Sequence, residues 1–147
     1  MAHLRRAGCI LAAVAAALLA SAHATAAQRD SDDKKPSLSL KATPPLGFSP
    51  LRVRVVIEVR GGANDNPDFY CAGTEWDWGD GTVSESSSDC DPYEAGKSTI
   101  KRSFIADHVF RQQGQHKIMF RLKQKTRVVA SATANIQVRA GSDEFDR

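Results

Sequence analysis

The most distinctive segment of this chain is Trp76-Asp77-Trp78-Gly79-Asp80-Gly81-Thr82. Its two tryptophans are two residues apart, so both indoles lie on the same face of an extended strand. Gly79-Asp80-Gly81 is typical of a tight turn, because glycine adopts positive φ without strain and aspartate accepts hydrogen bonds from turn amides. The stretch predicts a strand with both indoles in the core, Asp77 on its outward face, and a turn in which Asp80 accepts backbone N–H groups.

Alternation of apolar and polar residues extends this prediction to most of the chain. It is longest in residues 51–60, 116–123 and 132–139, and shorter strands are predicted at residues 37–41, 75–78, 82–84 and 98–105. No stretch after residue 27 has a convincing helical period. About seven short strands in a hundred residues predict an all-β, immunoglobulin-like antiparallel β-sandwich.

Residues 1–27 have the pattern of a secretory signal peptide. Arg5 and Arg6 precede an uncharged run of alanine and leucine over residues 9–22, and small residues follow at 24–27. An uncleaved anchor is the alternative, since residues 7–27 contain no Lys, Arg, Asp or Glu and are just long enough to span a bilayer. The run is mostly alanine and no basic stop-transfer cluster follows it, so we expect cleavage and no stable membrane insertion of the mature chain.

The remaining 120 residues are enough for one domain and carry a nearly balanced charge, with 18 Lys and Arg against 17 Asp and Glu. These figures exclude a multi-span membrane protein and a large two-domain enzyme. We divide the chain into a signal peptide (1–27), a flexible polar linker (28–36), a β-sandwich (37–140) and a polar tail (141–147).

Export to an oxidising compartment, secreted or periplasmic, determines how the cysteines are interpreted. The mature chain keeps only Cys71 and Cys90, which have a single possible intramolecular pairing. A metal site would need three or four ligands, and His108 and His116 form no recognisable cluster with the cysteines. We therefore predict a disulfide.

Three motifs in order resemble the PKD (polycystic kidney disease-type) domain family. The first is Ala42-Thr43-Pro44 with Gly47 and residues 50–53, and the second is the tryptophan-rich stretch at 76–82, similar to the family's W-D-F/W-G-D-G-T signature. The third is His108-Val109-Phe110, followed by Gly114 and the alternation from His116. The resemblance covers about residues 41–140 and implies an immunoglobulin-like sandwich for extracellular interaction or spacing, without catalysis.

The chain departs from the family pattern in two places. His116 stands where the family usually has tyrosine, and residues 61–74 and 85–97 are longer than usual and carry the two cysteines. The resemblance gives His108 a packing and hydrogen-bonding role, and with it Trp76, Asp77, Trp78, Gly79, Asp80, Gly81 and Phe110 form the predicted structural motif.

Charge is unevenly distributed along the chain. Nine acidic residues and no basic one lie between Arg60 and Lys97, whereas residues 97–139 hold ten basic residues and Asp107 as the sole acid. Loops joined by a disulfide could bring several carboxylates together on Ca²⁺, which prefers oxygen ligands. The alternative, which we favour, is a solvated acidic loop pair balanced through space by the basic strands, with no metal and no cofactor. The spacing around Asp80 does not fit an EF-hand loop.

A basic stripe is predicted on the outward face of one strand and its hairpin turn. It could hold an anionic glycan or a lipid head group, although most such stripes only keep a surface soluble. Nucleic acid is not expected as a partner, because no aromatic residues for base stacking are interleaved with the basic ones. The stripe consists of Lys117, Arg121, Lys123, Lys125 and Arg127.

Catalytic patterns do not lead to a consistent enzyme. Asp107-His108 could belong to a hydrolytic triad, but the chain has no G-x-S-x-G elbow. Paired carboxylates could be drawn from the acidic loops, but no cleft-forming segment accompanies them. We predict a protein that is not an enzyme and has no catalytic residues.

The inserted loops 61–74 and 85–97 are the predicted binding surface, because loops at a sandwich end commonly carry recognition. Their tyrosines supply contact area at low entropic cost, which suits sugar rings or a protein surface. We predict an exported binding module for an extracellular or envelope protein or glycan. The alternatives are a spacer without a specific ligand and a calcium-dependent binding module. The predicted contact residues are Asp68, Phe69, Tyr70, Asp89, Asp91 and Tyr93.

Overall fold

A computed structural model describes residues 35–141 of the chain. The predicted signal peptide, residues 28–34 of the predicted linker and residues 142–147 of the predicted tail lie outside the described residues. Pro36, at the end of the predicted linker, is buried against the domain. No helix in the described part of the chain is long and apolar enough to cross a membrane.

Eight strands and no helix make up the described part of the chain. The prediction of an all-β fold is confirmed, and the strand beyond the expected seven is the three-residue β2. The strands are β1 (Ser37–Thr43), β2 (Leu46–Phe48), β3 (Leu51–Arg60), β4 (Gly73–Asp77), β5 (Val83–Ser86), β6 (Ser103–Phe110), β7 (Gly114–Gln124) and β8 (Arg127–Arg139).

The strands form a sandwich of two sheets. One sheet has three strands in the order β1-β3-β6, and the other has five in the order β2-β8-β7-β4-β5. Every pair is antiparallel except β2 and β8, which are parallel, with Leu46 opposite Gln137 and Phe48 opposite Arg139. The immunoglobulin-like sandwich is therefore confirmed, with one short parallel pair at its edge.

One predicted strand is wrong in position. Residues 98–105 were expected to be extended, but β6 begins only at Ser103. The residues before it belong to a loop, where the Ile100 amide donates to the carbonyl of Asn64 (2.8 Å) and the Ile100 side chain is buried. The buried Ile100 therefore holds a loop against the core and does not belong to a strand.

The core lies between the sheets and follows the alternation in the sequence. Every second residue of β3 from Leu51 to Val59 is buried, while the intervening arginines and Glu58 are exposed. Strand β7 shows the same pattern, with Ile118 and Phe120 fully buried. Burial of these apolar faces supplies the main driving force for the fold.

A continuous row of rings crosses the core and joins the sheets. The indoles of Trp76 and Trp78 lie 5.5 Å apart and nearly parallel, and the His108 ring of β6 stacks on Trp78 at 4.4 Å. Phe120 of β7 packs 4.4 Å from Trp76 on the other side. Because β6 belongs to one sheet and β7 to the other, this row holds the layers together.

We expect Trp76→Ala to lower the free energy of unfolding by about 3–5 kcal/mol, because it removes a buried ring and leaves a cavity. Urea denaturation followed by circular dichroism measures the loss. The control is Val83→Ala, whose side chain is 58% exposed and whose replacement should cost less than about 0.5 kcal/mol. Equal effects of the two substitutions would contradict this description of the core.

Candidate functional site

The predicted binding loops lie together at one end of the sandwich. The first connects β3 to β4 over residues 61–72 and the second connects β5 to β6 over residues 87–102, so the predicted ranges 61–74 and 85–97 overlap β4 and β5 by two residues each. The predicted disulfide between Cys71 and Cys90 is present, with 6.1 Å between the Cα atoms. We call this region, residues 61–72 and 87–102, the disulfide end.

Arg102, which the sequence analysis did not single out, organises the first loop. Its guanidinium donates to the side-chain oxygen of Asn64 through Nε (3.0 Å) and Nη2 (2.7 Å). It also donates to the carbonyls of Gly61 (2.8 Å) and Gly62 (3.0 Å). An arginine just before a strand is usually a solvated charge, and nothing in the sequence reveals that four hydrogen bonds from Arg102 converge on one loop.

Asp65 connects the two loops to each other. Its carboxylate accepts the Gly96 amide (2.8 Å) and its carbonyl accepts the Tyr93 hydroxyl (2.6 Å). The Tyr70 hydroxyl in turn donates to the carbonyl of Asp91 (3.0 Å). The second loop is thus fixed by hydrogen bonds as well as by the disulfide, although it has no regular secondary structure.

The three aromatic residues of the loops have different positions. Phe69 is only 4% exposed and belongs to the hydrophobic core, so its prediction as a contact residue is corrected: the short turn at 64–71 directs the ring inward. Tyr70 is half-buried, and its ring lies 5.6 Å from that of Tyr93 at 59°. Tyr93 is 39% exposed and is the aromatic surface of this end.

Most of the acidic residues between Arg60 and Lys97 have a partner inside the domain. Asp68, a predicted contact residue, pairs with Arg127 (2.5 Å). Asp89 and Asp91 are exposed, and their carboxylates have no hydrogen bond or ion pair to the described residues. The acids with partners are Asp65, Asp68, Glu75, Asp77, Asp80, Glu85 and Glu94.

Glu75 shows how the acidic and basic segments meet. It lies on β4 opposite Arg121 of β7, and its carboxylate accepts hydrogen bonds from Lys123 Nζ (2.7 Å) and from Arg121. Hydrogen bonds from Lys123 and Arg121 lower the pKa of Glu75 to about 2 and outweigh its desolvation. Three members of the predicted basic stripe, Arg121, Lys123 and Arg127, thus pair with acids of the same chain.

The tryptophan-rich stretch is a structural turn. Asp80 accepts the Thr82 amide (3.0 Å) and the Nε2 proton of His108 (2.7 Å), while Asp77 accepts the Gly79 amide (3.1 Å). Burial raises the pKa of Asp80, whereas the hydrogen bonds from Thr82 and His108 lower it. The hydrogen bonds together outweigh burial, so the pKa lies below its usual value. Gly79 has φ +73°, and a Cβ there would lie 2.6 Å from the carbonyl oxygen of Lys117.

His116 connects this turn to the β6–β7 turn. It is 6% exposed, its Nδ1 lies 3.1 Å from the carbonyl oxygen of Gly79, and its Nε2 lies 3.0 Å from that of Gln112. The ring also packs 5.0 Å from Phe110. His116 thus contacts two backbone turns with opposite edges of one ring.

Asp107 and His108 do not form the pair that a hydrolytic triad requires. Adjacent residues of a strand point to opposite faces, so Asp107 pairs outward with Arg54 (3.1 Å) while His108 points into the core. Among residues 35–141, no group of three or more His, Cys, Asp or Glu side chains could hold a metal ion.

Two open grooves flank the disulfide. One, of about 470 Å³, is lined by Tyr70, Asp91 and Pro92 together with Glu94, Lys97, Ser98 and Thr99. The other, of about 440 Å³, lies beside Cys71 and is lined mainly by serine, threonine and lysine side chains with Glu85. Side chains with hydroxyl, carboxylate and amine groups line both grooves and can form hydrogen bonds with a ligand.

The sheet order and the row of rings between the layers define the fold of this domain: it is an all-β sandwich of the immunoglobulin type. Neither a protein-family profile nor a curated protein sequence matches the chain.

Solved structures that resemble the domain include three at low sequence identity. The PKD domain of an M14-like peptidase from Thermoplasmatales archaeon SCGC AB-540-F20 is 12% identical, with a TM-score of 0.48 over 71% of this chain and 96% of that one. The CARDB domain of the PF1109 protein from Pyrococcus furiosus, described in complex with di-metal ions, is 13% identical, with a TM-score of 0.47 over 71% and 88%. The sulfur carrier protein SoxY from Chlorobium limicola f thiosulfatophilum is 11% identical, with a TM-score of 0.37 over 70% and 79%.

Replacing Arg102 by glutamine should lower the free energy of unfolding by about 2 kcal/mol, because several loop carbonyls lose a charged donor. Chemical denaturation measures the loss, and hydrogen exchange at residues 61–66 should rise. Arg54→Gln is the matched control, since the Arg54–Asp107 pair is exposed and such pairs contribute less than about 1 kcal/mol. A loss no larger than that of the control would show that Arg102 does not organise the loop.

Glu75 should make the domain sensitive to acid. Its pKa is lower in the folded state than in the unfolded chain, so its stabilising contribution is complete above the unfolded value and is lost as the pH falls towards about 2. Between pH 5 and pH 2 the unfolding free energy of Glu75→Gln should therefore fall less steeply than that of the wild type. Glu58→Gln, which removes an exposed carboxylate, is the control, and an equal change in slope for both variants would refute the assignment.

Proposed function

We propose that this chain is an exported, non-catalytic binding module that recognises a glycan through the disulfide end. The observation that carries the proposal is the exposed ring of Tyr93, fixed beside Tyr70 and next to a groove whose polar groups have the chemistry of sugar recognition. Aromatic faces pack on the apolar faces of sugar rings, while carboxylates and hydroxyls bind sugar hydroxyls.

The rigidity of this end supports a binding role. Association costs entropy when loops must become ordered, and a surface that is ordered in advance avoids part of that cost. Here the second loop is attached to the first by the disulfide and by several hydrogen bonds, which involve Tyr70, Asp65, Ile100 and Arg102. A spacer without a ligand would need no such fixation of an irregular loop.

Asp89 and Asp91 are exposed carboxylates that have no partner among residues 35–141, and Asp91 lines the groove. The other seven acids of the segment have partners within the domain, and these two are exposed on the loop that carries Tyr93. A ligand with hydroxyl or cationic groups would supply the hydrogen bonds that these carboxylates lack. Because carboxylates also bind cationic groups, a basic protein surface is the second candidate ligand.

Export is part of the proposal. It rests on the charged, apolar and small-residue pattern of residues 1–27 and on the Cys71–Cys90 disulfide, which is typical of oxidising compartments. A secreted or periplasmic location follows from the proposal, and envelope glycans are then the ligands within reach.

A glycan array followed by isothermal titration calorimetry tests the proposal. We expect Tyr93→Ala to weaken binding of the glycan found on the array about tenfold or more, as expected for an aromatic anchor. Tyr93→Phe keeps the ring and loses the hydrogen bond to Asp65, so it should retain most of the affinity. Val83→Ala is the control distant from the groove.

Two results would contradict the proposal. One is a glycan array without a specific signal, which would favour the spacer alternative. The other is binding that survives Tyr93→Ala unchanged, which would place the ligand elsewhere on the domain.

A further inference from the structure

The sandwich has four sheet edges, and three of them carry features that prevent pairing with another strand. Strand β1 packs against β8 of the other sheet and exposes Lys41. Strand β2 has three residues and is flanked by prolines at 44, 45 and 50. Strand β5 has four residues and exposes Glu85. Short length, proline and charge are the usual ways in which an edge strand avoids another chain.

The remaining edge, β6, has no such protection. It has eight residues, Ser103–Phe110, and contains neither lysine nor proline. Its one charged side chain besides histidine, Asp107, is held by a bidentate pair with Arg54 on the neighbouring strand. Ile105, in the first half of the strand, is 62% exposed, the largest fraction among the exposed large hydrophobic residues of the described chain.

The hydrogen-bonding direction of β6 follows from its pairing with β3. The Val59 amide donates to the carbonyl of Arg102, so the backbone N–H and C=O groups of Arg102 point towards β3. In an antiparallel ladder the paired residues alternate, and the even-numbered residues of β6 therefore bond to β3 while the odd-numbered ones face the open edge. The backbone groups at Ser103, Ile105, Asp107 and Val109 form this open edge, and their side chains lie on the outer face of the sheet.

We propose that β6 pairs with β6 of a second copy of this chain, antiparallel across a two-fold axis at Ile105. A second copy is the occupant because the edge is complementary to itself in this register: Ile105 faces Ile105 of the other copy, and Ser103 faces Asp107 on both sides of the axis. A register centred on Asp107 would instead place two carboxylates opposite each other, which is unfavourable.

The dimer joins the two three-stranded sheets into one six-stranded sheet. Each copy contributes one long unprotected edge, and pairing uses both edges, so assembly closes at two chains. The added contacts are main-chain hydrogen bonds and the Ile105 pair, which makes a small interface. We therefore expect reversible dimerisation with a dissociation constant in the micromolar range.

Sedimentation velocity of the full chain, purified from an exporting host, tests the proposal over a wide concentration range. Ile105→Lys places two like charges opposite each other at the axis and should weaken dimerisation about tenfold or more. Val83→Lys is the matched control: this valine is 58% exposed on the short edge β5, and the same substitution there should leave the dimer unchanged.

The register has its own test at Ser103. Ser103→Lys should strengthen dimerisation about threefold or more by creating two Lys–Asp pairs, and Ser103→Asp should weaken it by a similar factor. The melting temperature of each variant at low concentration separates these effects from loss of the monomer fold.

Three outcomes would overturn the proposal. They are a sedimentation coefficient that stays at the monomer value up to the solubility limit, a dimer that tolerates Ile105→Lys as well as Val83→Lys, and equal effects of the two Ser103 substitutions. A dimer formed through a different surface would tolerate Ile105→Lys. If β6 instead binds an extended segment of another protein, the purified chain would remain a monomer.

Discussion

The structure depends on the contact between Trp78 and His108. Trp78 follows β4 in the five-stranded sheet and His108 lies on β6 in the three-stranded sheet, so their stacked rings join the two layers. The same histidine donates to Asp80, which fixes the turn that follows Trp78. One side chain thus sets both the distance between the sheets and the shape of the turn, and the 2% exposure of Trp78 shows how completely this contact is buried.

The uneven charge of the sequence is resolved by topology. Strand β4 comes from the acidic segment and β7 from the basic one, and the sheet order places them side by side. Glu75 therefore meets Arg121 and Lys123 at short range. Of the nine acidic residues in this segment, Asp89 and Asp91 have no partner among residues 35–141, which is why the proposed function gives these two a role as ligand contacts.

The fold could be predicted from the sequence because its signals are local. Alternation in residues 51–60 identifies a buried face without any knowledge of the partner strand, and the turn at Gly79 needs only positive φ. The disulfide could also be predicted, since Cys71 and Cys90 had one possible pairing. The inward direction of Phe69 could not, because it depends on how a short turn closes over the core.

The sequence predicted where the candidate site lies, but it did not predict the contacts that shape the site. Residue spacing located both loops, but the role of Arg102 depends on contacts with Gly61 and Asn64, about forty residues earlier in the chain. The start of β6 was missed for a related reason, since the contact between Ile100 and Asn64 competes with strand formation. Contacts between residues distant in sequence carry no periodic signal, and these contacts shape the disulfide end.

The proposed dimer and the proposed binding site have a geometric relation. Strand β6 leaves the disulfide end at Ser103 and runs to the opposite end at Phe110. Antiparallel pairing would therefore place the disulfide ends of two copies at opposite ends of the six-stranded sheet. Two sites that point in opposite directions cannot bind neighbouring sugars on one surface, so the dimer would gain little avidity on a single glycan chain. It would instead link two separate chains, which makes bridging within an envelope polymer the form of recognition that this arrangement favours.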